Sequence, residues 1–413
     1  MSLRTELRRG IGPWSGVAVA VTVLVAMYGK APGWQGRWSD ASDLLHTAAG
    51  LLAGPLAAAT GCWQGGRERR RSTGELLASA PRGRLARTLV AAAPAALWPA
   101  AGLLCAVAVC LGATWPYAAG GRPFVSVPAA DAVAVAALGA LGFVAGRLVP
   151  WRLTAPLVAA AAYVGLGLPS YTASPARWLS PAADRYTVWH EPLWWFGPAM
   201  AVWTGGLAAA ALLAYGARHR ALALVPLAAA CAVAVPVLRL DGDDGPWRPD
   251  PEAARLVCDD GTPRVCLSAV DRALLPEASR ALAGLNARLR GVPGAPVRWV
   301  GGPRAPGPDE AALPDPVAAA AHGVLRDPRQ YAYDAAAALS DGSCPSGEGE
   351  EGIALDLAVQ EWLAPAPPGS GADPAALQPY LDRLRTGSPE RQRAFLGRYL
   401  TTGLCESAGV PLP

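Results

Sequence analysis

The stretch Arg67-Glu68-Arg69-Arg70-Arg71-Ser72-Thr73-Gly74-Glu75-Leu76-Leu77-Ala78-Ser79-Ala80-Pro81-Arg82-Gly83-Arg84 lies between two long apolar segments and holds the densest positive charge in the chain. Short loops rich in Arg stay on the cytoplasmic side of a bilayer, so this segment is expected inside the cell, where it orients the helices before and after it. Ser72 or Thr73 can cap a short helix with Leu76, Leu77 and Ala80 on one face, and Pro81 discourages its continuation. The expectation is a short amphipathic helix at the membrane surface, offered to something in the cytoplasm.

Working outward, the apolar segment before this loop is Leu44 to Trp63. A polar stretch, Lys30 to Asp43, separates it from a first apolar run, Ile11 to Tyr28, which follows Arg4, Arg8 and Arg9. That run approaches the about 20 helical residues needed to cross a hydrocarbon core. A cleaved signal peptide is the competing reading, but no small-x-small cleavage site follows and further spans come after. Beyond the basic loop come Leu89 to Leu111, Val127 to Val149, a short segment Leu153 to Leu168 bounded by Pro150 and Pro169, Phe196 to Tyr215, and Ala221 to Leu238. Between the fifth and sixth lies Ser170 to Leu193, rich in Tyr and Trp. Such a loop is expected to lie on the outer surface or to dip part-way in as a re-entrant hairpin.

Charge checks this layout. With the N-terminus inside, cytoplasmic loops hold 14 of the 19 basic residues of Met1 to Leu238, and the outer loops keep Lys30, Arg37, Arg122, Arg177 and Arg185. The asymmetry favours seven spans with the C-terminal region outside. The short fifth segment is where a miscount would arise. Asp43, His46 and Asp131 fall near outer ends of spans, and they are expected to be solvated at the interface rather than buried.

Composition agrees with two environments. The 413 residues are 52% hydrophobic and 16% charged, too apolar for an ordinary soluble domain. Met1 to Leu238 carries 19 basic and 8 acidic residues, net +11, whereas Arg239 to Pro413 carries 17 and 24, net −7. The basic residues form no groove-like stripe with interleaved aromatics, so nucleic acid is not an expected partner. The abundance of Ala, Gly, Pro and Arg points to a GC-rich bacterial coding bias.

From Asp241 the chain reads as a water-soluble domain after an Asp-Gly-Asp-Asp-Gly-Pro linker. Strands are expected at Arg255 to Cys258, Val265 to Leu267 and Val297 to Val300, and helices at Pro276 to Arg290, Pro316 to Leu325, Ile353 to Leu363, Pro374 to Leu384 and Pro389 to Leu404. Four cysteines, Cys258, Cys266, Cys344 and Cys405, lie in this region. Three pairings are possible; Cys258 with Cys266 would tie the expected hairpin and Cys344 with Cys405 would close a long loop, with free thiols the alternative.

The search for catalytic chemistry is negative. Lys30 is the only lysine and is followed by Ala31, so the chain cannot hold a nucleotide-binding P-loop. The histidines, His46, His190, His219 and His322, show no zinc-binding spacing; His190-Glu191 starts like a metalloprotease motif, but Trp194 takes the place of the second ligand. There is no Gly-x-Ser-x-Gly elbow and no Cys pair at zinc spacing. Neither an enzyme nor a cofactor or metal site is expected in this chain.

The basic loop itself resembles the coupling segment between the second and third spans of type-2 ABC exporter permeases, whose pattern runs Arg-Glu, Gly-Thr-x-Glu-Leu-Leu, then Pro and basic residues. Arg67-Glu68 and Thr73, Glu75, Leu76 and Leu77 match it, and Ser72 stands at the family Gly. The resemblance covers Met1 to about Tyr215. It implies a permease domain, 1–240, with a cytoplasmic coupling loop, 65–88, and an added extracellular domain, 241–413. It further implies that Arg67, Glu68, Arg70, Arg71, Glu75, Leu76, Leu77, Arg82 and Arg84 dock a separate ATPase subunit, which binds ATP and Mg. A homodimer, or a heterodimer with a related permease, would form the pathway in the bacterial plasma membrane.

The expected fold is therefore an α-helical polytopic membrane protein of about seven transmembrane helices, with a small C-terminal soluble α/β or mainly helical domain. The expected function is export of an apolar or peptide-like substrate. The alternative is a membrane-anchored sensor or interaction protein acting through its extracellular domain.

Overall fold

A computed structural model describes residues 7, 10–70, 83–183, 188–240, 245–318, 320–339, 350–368, 374–401 and 412–413. The chain divides into two compact units: 1–34, 38–116 and 122–250 form the first, and 35–37, 117–121 and 251–413 the second.

The first unit is helical. Its helices are α1 (Gly12–Tyr28), α2 (Trp38–Ala48), α3 (Gly54–Gly65), α4 (Arg84–Thr114), α5 (Ser126–Leu148), α6 (Thr154–Gly167), α7 (Phe196–Gly216) and α8 (Leu224–Leu238). A π-helical turn, Ala49–Ala53, joins α2 to α3 without a break. Its origin is local: Pro55 has no N–H to bond the carbonyl four residues back, and the N–H of Gly54 reaches instead to the carbonyl of Ala49, five residues back. Among the described residues five continuous helices are long and apolar enough to cross a membrane: Trp38–Gly65, Arg84–Tyr117, Ser126–Leu148, Phe196–Gly216 and Arg220–Leu238. The apolar helix α1 is shorter, at 17 residues. This is a helical membrane protein.

The expected fifth span, Leu153 to Leu168, appears as α6 (Thr154–Gly167) and is short, as its bounding prolines implied. Helix α6 has 14 residues, roughly 21 Å at 1.5 Å per residue, which is less than a hydrocarbon core of about 30 Å. Pro169 ends it, and the chain continues through two 3₁₀ turns, Leu168–Tyr171 and Pro175–Leu179. It then folds back beside the helix end, where the Ser180 hydroxyl donates to the carbonyl of Leu166 at 2.7 Å. Ala182 packs against Gly50 in the π turn; a Cβ on Gly50 would stand 2.4 Å from that of Ala182. Two short strands, β1 (His190–Pro192) and β2 (Trp247–Pro249), pair antiparallel with Glu191 opposite Arg248, bonded at 2.6 Å.

Helices of the first unit pack through glycine. On α3, Gly61 and Gly65 meet the backbone of α5, and on α5, Gly142 and Gly146 meet the carbonyls of Ala58 and Cys62. Small residues four apart let two backbones touch, which is how helices gain dispersion contacts where lipid offers no hydrophobic drive.

The second unit has a four-stranded sheet, in the order β3 (Leu256–Cys258), β4 (Arg264–Ser268), β5 (Arg298–Val300), β6 (Glu310–Ala312). The β3–β4 pair is antiparallel and the others are parallel. Helix α9 (Leu275–Leu289) connects β4 to β5 and buries Ala278, Leu282, Leu285 and Leu289, a helical stripe, in the same core as Trp299 and Leu267. Helices α10 (Pro328–Ala337), α11 (Glu350–Leu363), α12 (Pro374–Thr386) and α13 (Pro389–Thr401) complete it, burying Tyr331, Leu384 and Phe395. The loop residue Ala119, 1% exposed, belongs to this core and accepts a bond from the N–H of Ala273.

The helix expected at Pro316 to Leu325 is absent. Its place is taken by a tight hairpin, Ala320–Ala321 with Val324–Leu325, turning at His322 and Gly323, whose φ angles of 54° and 74° no right-handed helix accepts. The helix starts later, at Pro328, where the Asp327 carboxylate caps the N–H groups of Arg329 and Gln330. A disulfide joins Cys258 to Cys266, directly opposite each other across β3 and β4. Cys344 and Cys405 lie outside the described residues.

Candidate functional site

Two places in the first unit concentrate chemistry. The first is the basic hinge between α3 and α4. Helix α3 ends at Gly65 and a further helical turn, Arg67–Arg70, follows; α4 begins at Arg84 after Gly83 in extended conformation. The Arg70 guanidinium lies over the Trp63 ring at 4.3 Å and donates to the Trp63 carbonyl. Arg84 stands over the Tyr215 ring at 5.4 Å. Both contacts anchor a cation at a helix end by its aromatic neighbour, a cation–π arrangement that leaves the charge at the surface. Of the residues that the coupling resemblance picks out, Arg67, Glu68 and Arg70 fall in this turn and Arg84 opens α4. Arg71, Glu75, Leu76, Leu77 and Arg82, with the caps Ser72 and Thr73, lie outside the described residues.

The second place was not expected. His46 on α2 and Asp131 on α5 are not at a solvated interface: they are 1% and 4% exposed, and His46 Nδ1 bonds Asp131 Oδ1 at 2.8 Å. The correction has a tertiary cause. His46 lies eight residues into α2 and Asp131 five into α5, and those helices turn the two side chains toward each other, amid Leu45, Ala49, Leu103 and Val107. Asp43, three residues before His46, is half-buried and has a partner of its own. Asp131 also lines a small cavity of about 10 Å³ with Ser42, Leu45, Ala49, Leu103 and Val107. His46 Nε2 is buried with no hydrogen-bond partner among the described residues. No third His, Cys, Asp or Glu joins the pair among the described residues.

A sequence signal for this pair existed. One carboxylate five residues into the 23-residue apolar α5 is costly at depth unless it is paired, and a histidine inside the second span is its natural partner.

Within the second unit, Arg37 is 3% exposed and holds two carboxylates. Its Nε and one terminal nitrogen bond Asp271 at 2.7 and 2.8 Å, and its terminal nitrogens bond Asp315 at 2.9 and 2.7 Å. Ser268 donates to Asp271 at 2.8 Å. Burial works against the charged guanidinium, but the bonds and charges of Asp271 and Asp315 outweigh it and raise its pKa above the ordinary value. This cluster is structural: its buried carboxylate, Asp271, takes its bonds from Arg37 and Ser268. A surface groove of about 350 Å³ is lined by Arg288, Arg385, Trp362, Glu361 and Gln392. Burial and the charge of Arg385 lower the pKa of Arg288.

Comparison with models of known protein families, with curated proteins and with solved structures finds no match.

Proposed function

We propose that the chain is the membrane-spanning permease subunit of an ATP-driven ABC transporter. It exports an apolar or peptide-like substrate and is powered by a separate ATPase that binds the segment 67–87. What supports this reading is the basic hinge between α3 and α4, whose residues match a coupling segment and whose described ends carry Arg67 and Arg70 after α3 and Arg84 at the start of α4. Two copies, or one copy with a related chain, form the pathway in a bacterial plasma membrane.

Connectivity supports seven crossings. Segments 35–37 and 117–121 belong to the same unit as residues 251–413, so all three lie on one side of the bilayer. Two long helices separate the first two segments, as this demands. Between 121 and 251 there are three long helices, and an even number is required, so α6 with its following turns supplies the fourth crossing. The pairing of β1 with β2 across α7 and α8 agrees with this count. With the Arg-rich hinge inside, the N-terminus is cytoplasmic and residues 251–413 are extracellular.

A second reading, a membrane-anchored sensor, is favoured by the separate core of the second unit and its cross-strand disulfide. Purification in mild detergent separates the two. A soluble ATPase co-purifies on the first reading, and Glu75→Ala with Leu76→Ala releases it. Retention of the ATPase by that double variant removes the coupling role, and absence of any ATPase leaves the sensor reading standing.

A further inference from the structure

We propose that the groove beside Trp362 in the second unit binds a short acidic peptide, its rim arginines taking carboxylates and Gln392 taking a backbone N–H. The groove consists of two hollows, of about 350 and 320 Å³, that share Arg288, Trp362 and Gln392. Each stands at the lower end of the about 300–1,000 Å³ usual for ligand pockets, and two hollows side by side suit a segment of chain better than a single compact ion. Helix ends build the site. Arg288 and Arg290 come from the end of α9, Glu361 and Trp362 from the end of α11, Arg385 from the end of α12, and Gln392 and Arg393 from the opening turns of α13.

The first argument is uncompensated charge. Arg385 lines one hollow, Arg290 and Arg393 line the other, and Arg288 lines both. Among the described residues none of these four arginines forms an ion pair with an acid. Glu361 is the one acid among the described lining residues, and its Oε2 is already held by the N–H of Ala366 at 2.9 Å. Burial, and after it the neighbouring charge of Arg385, lower the pKa of Arg288, so like charges are crowded here. The carbonyl ends of α9 and α12 favour a cation at Arg288 and Arg385, but Arg393 stands near the start of α13, where the helix dipole favours an anion instead. An arriving carboxylate relieves this crowding and accepts the guanidinium bonds in pairs.

The second argument is what lies between the charges. Trp362 is 7% exposed and forms a fixed floor; the Arg288 guanidinium lies over its ring at 5.5 Å and donates to its carbonyl. Arg288 is therefore held in place before a ligand arrives, which lowers the entropy lost on binding. Gln392 Nε2 donates to the carbonyl of Leu384 at 2.8 Å, which fixes the amide and leaves Oε1 as an acceptor. A fully ionised phosphate donates nothing to such an acceptor, whereas a peptide offers N–H groups between its carboxylates. The site lies wholly within the second unit. The proposal goes beyond the transport reading and is tested without the ATPase, so the two fail separately.

The test uses the full chain in phosphatidylcholine nanodiscs, titrated against tetraglutamate that carries a fluorophore, with binding read by anisotropy. The expected result is saturable binding that weakens as salt rises and is displaced by unlabelled tetraglutamate, but not by tetraglutamine or by glycerol phosphate, the charged head of an anionic lipid. Arg385→Gln with Arg393→Gln should weaken binding by about tenfold or more. Both side chains are exposed, and this variant leaves Arg288 on its floor and the Arg-rich hinge of the first unit untouched. Arg272→Gln with Arg326→Gln removes the same charge from exposed positions outside the groove and should leave binding unchanged. No saturable binding, equal affinity of the groove variant and the wild type, an equal loss in the control variant, or displacement by glycerol phosphate as readily as by tetraglutamate overturns the proposal.

Discussion

Gly142 lies so close to the carbonyl of Ala58 that a Cβ at position 142 would stand 2.0 Å from that oxygen. The contact joins the first and third of the five long helices through their backbones and cannot be relieved by rotating a side chain. Gly142→Leu is therefore expected to destabilise the helical unit by at least the about 1–3 kcal/mol typical of overpacking. Gly165→Leu, at a helical position with nothing within 4 Å, is expected to be tolerated. Size-exclusion profiles of the two variants in detergent, followed over a temperature series, check the difference; equal melting of both would refute the packing account.

Among the described residues Arg37 is the one cation that holds the buried Asp271. Arg37→Met leaves that carboxylate without a counter-charge, and removing one partner of a buried pair costs about 3–5 kcal/mol. Arg37→Lys keeps the charge but loses the two-pronged contacts to both acids, so an intermediate loss is expected. Limited proteolysis of the full chain along a urea series, with fragments from residues 251–413 identified by mass, reads both.

The disulfide closes a loop of sequence separation 8. Cys258→Ser with Cys266→Ser is expected to cost the second unit about 2 kcal/mol through the freed unfolded chain. Non-reducing peptide mapping of protein taken from cells should recover the two cysteines in one linked fragment. Finding them alkylated separately would place this hairpin in a reducing compartment.

Glu310 supplies a pH test. A hydrogen bond from Arg304, another from the N–H of Gly307, and the charges of Arg304 and Arg298 hold its carboxyl well below the usual range, at about 2. A carboxylate depressed by folding adds stability that is present above its unfolded pKa, ordinarily 4.5, and is lost as pH falls toward about 2. Glu310→Gln should flatten the acid dependence of unfolding within that window and leave it unchanged above. An identical acid profile for the variant would count against the Arg304 contact.

Hydropathy reads the long helices because each residue adds its transfer energy independently of what it touches. It reads α9 as well, since Ala278, Leu282, Leu285 and Leu289 recur at the helical period. What it could not read depends on partners distant in the chain. His46 and Asp131 look like interfacial residues until their helices are placed side by side, 85 residues apart in sequence. Arg37 looks like a loop charge until Asp271 and Asp315 surround it. The hairpin at His322 was hidden for a local reason: an Ala-rich run resembles a helix, and one glycine and one histidine in left-handed backbone redirect it. The hinge at 67–84 was the plainest text in the chain, yet five of the nine residues picked out there lie outside the described residues.

The two carboxylates that clasp Arg37 are encoded 234 and 278 residues after it. At synthesis speeds of about 5–20 residues per second, the ribosome finishes Asp271 on the order of ten to fifty seconds after Arg37. Until then the guanidinium has no acid to receive it, and segments 35–37 and 117–121 stay open while every membrane helix is laid down. A chain stopped before residue 251 leaves both segments permanently without their core.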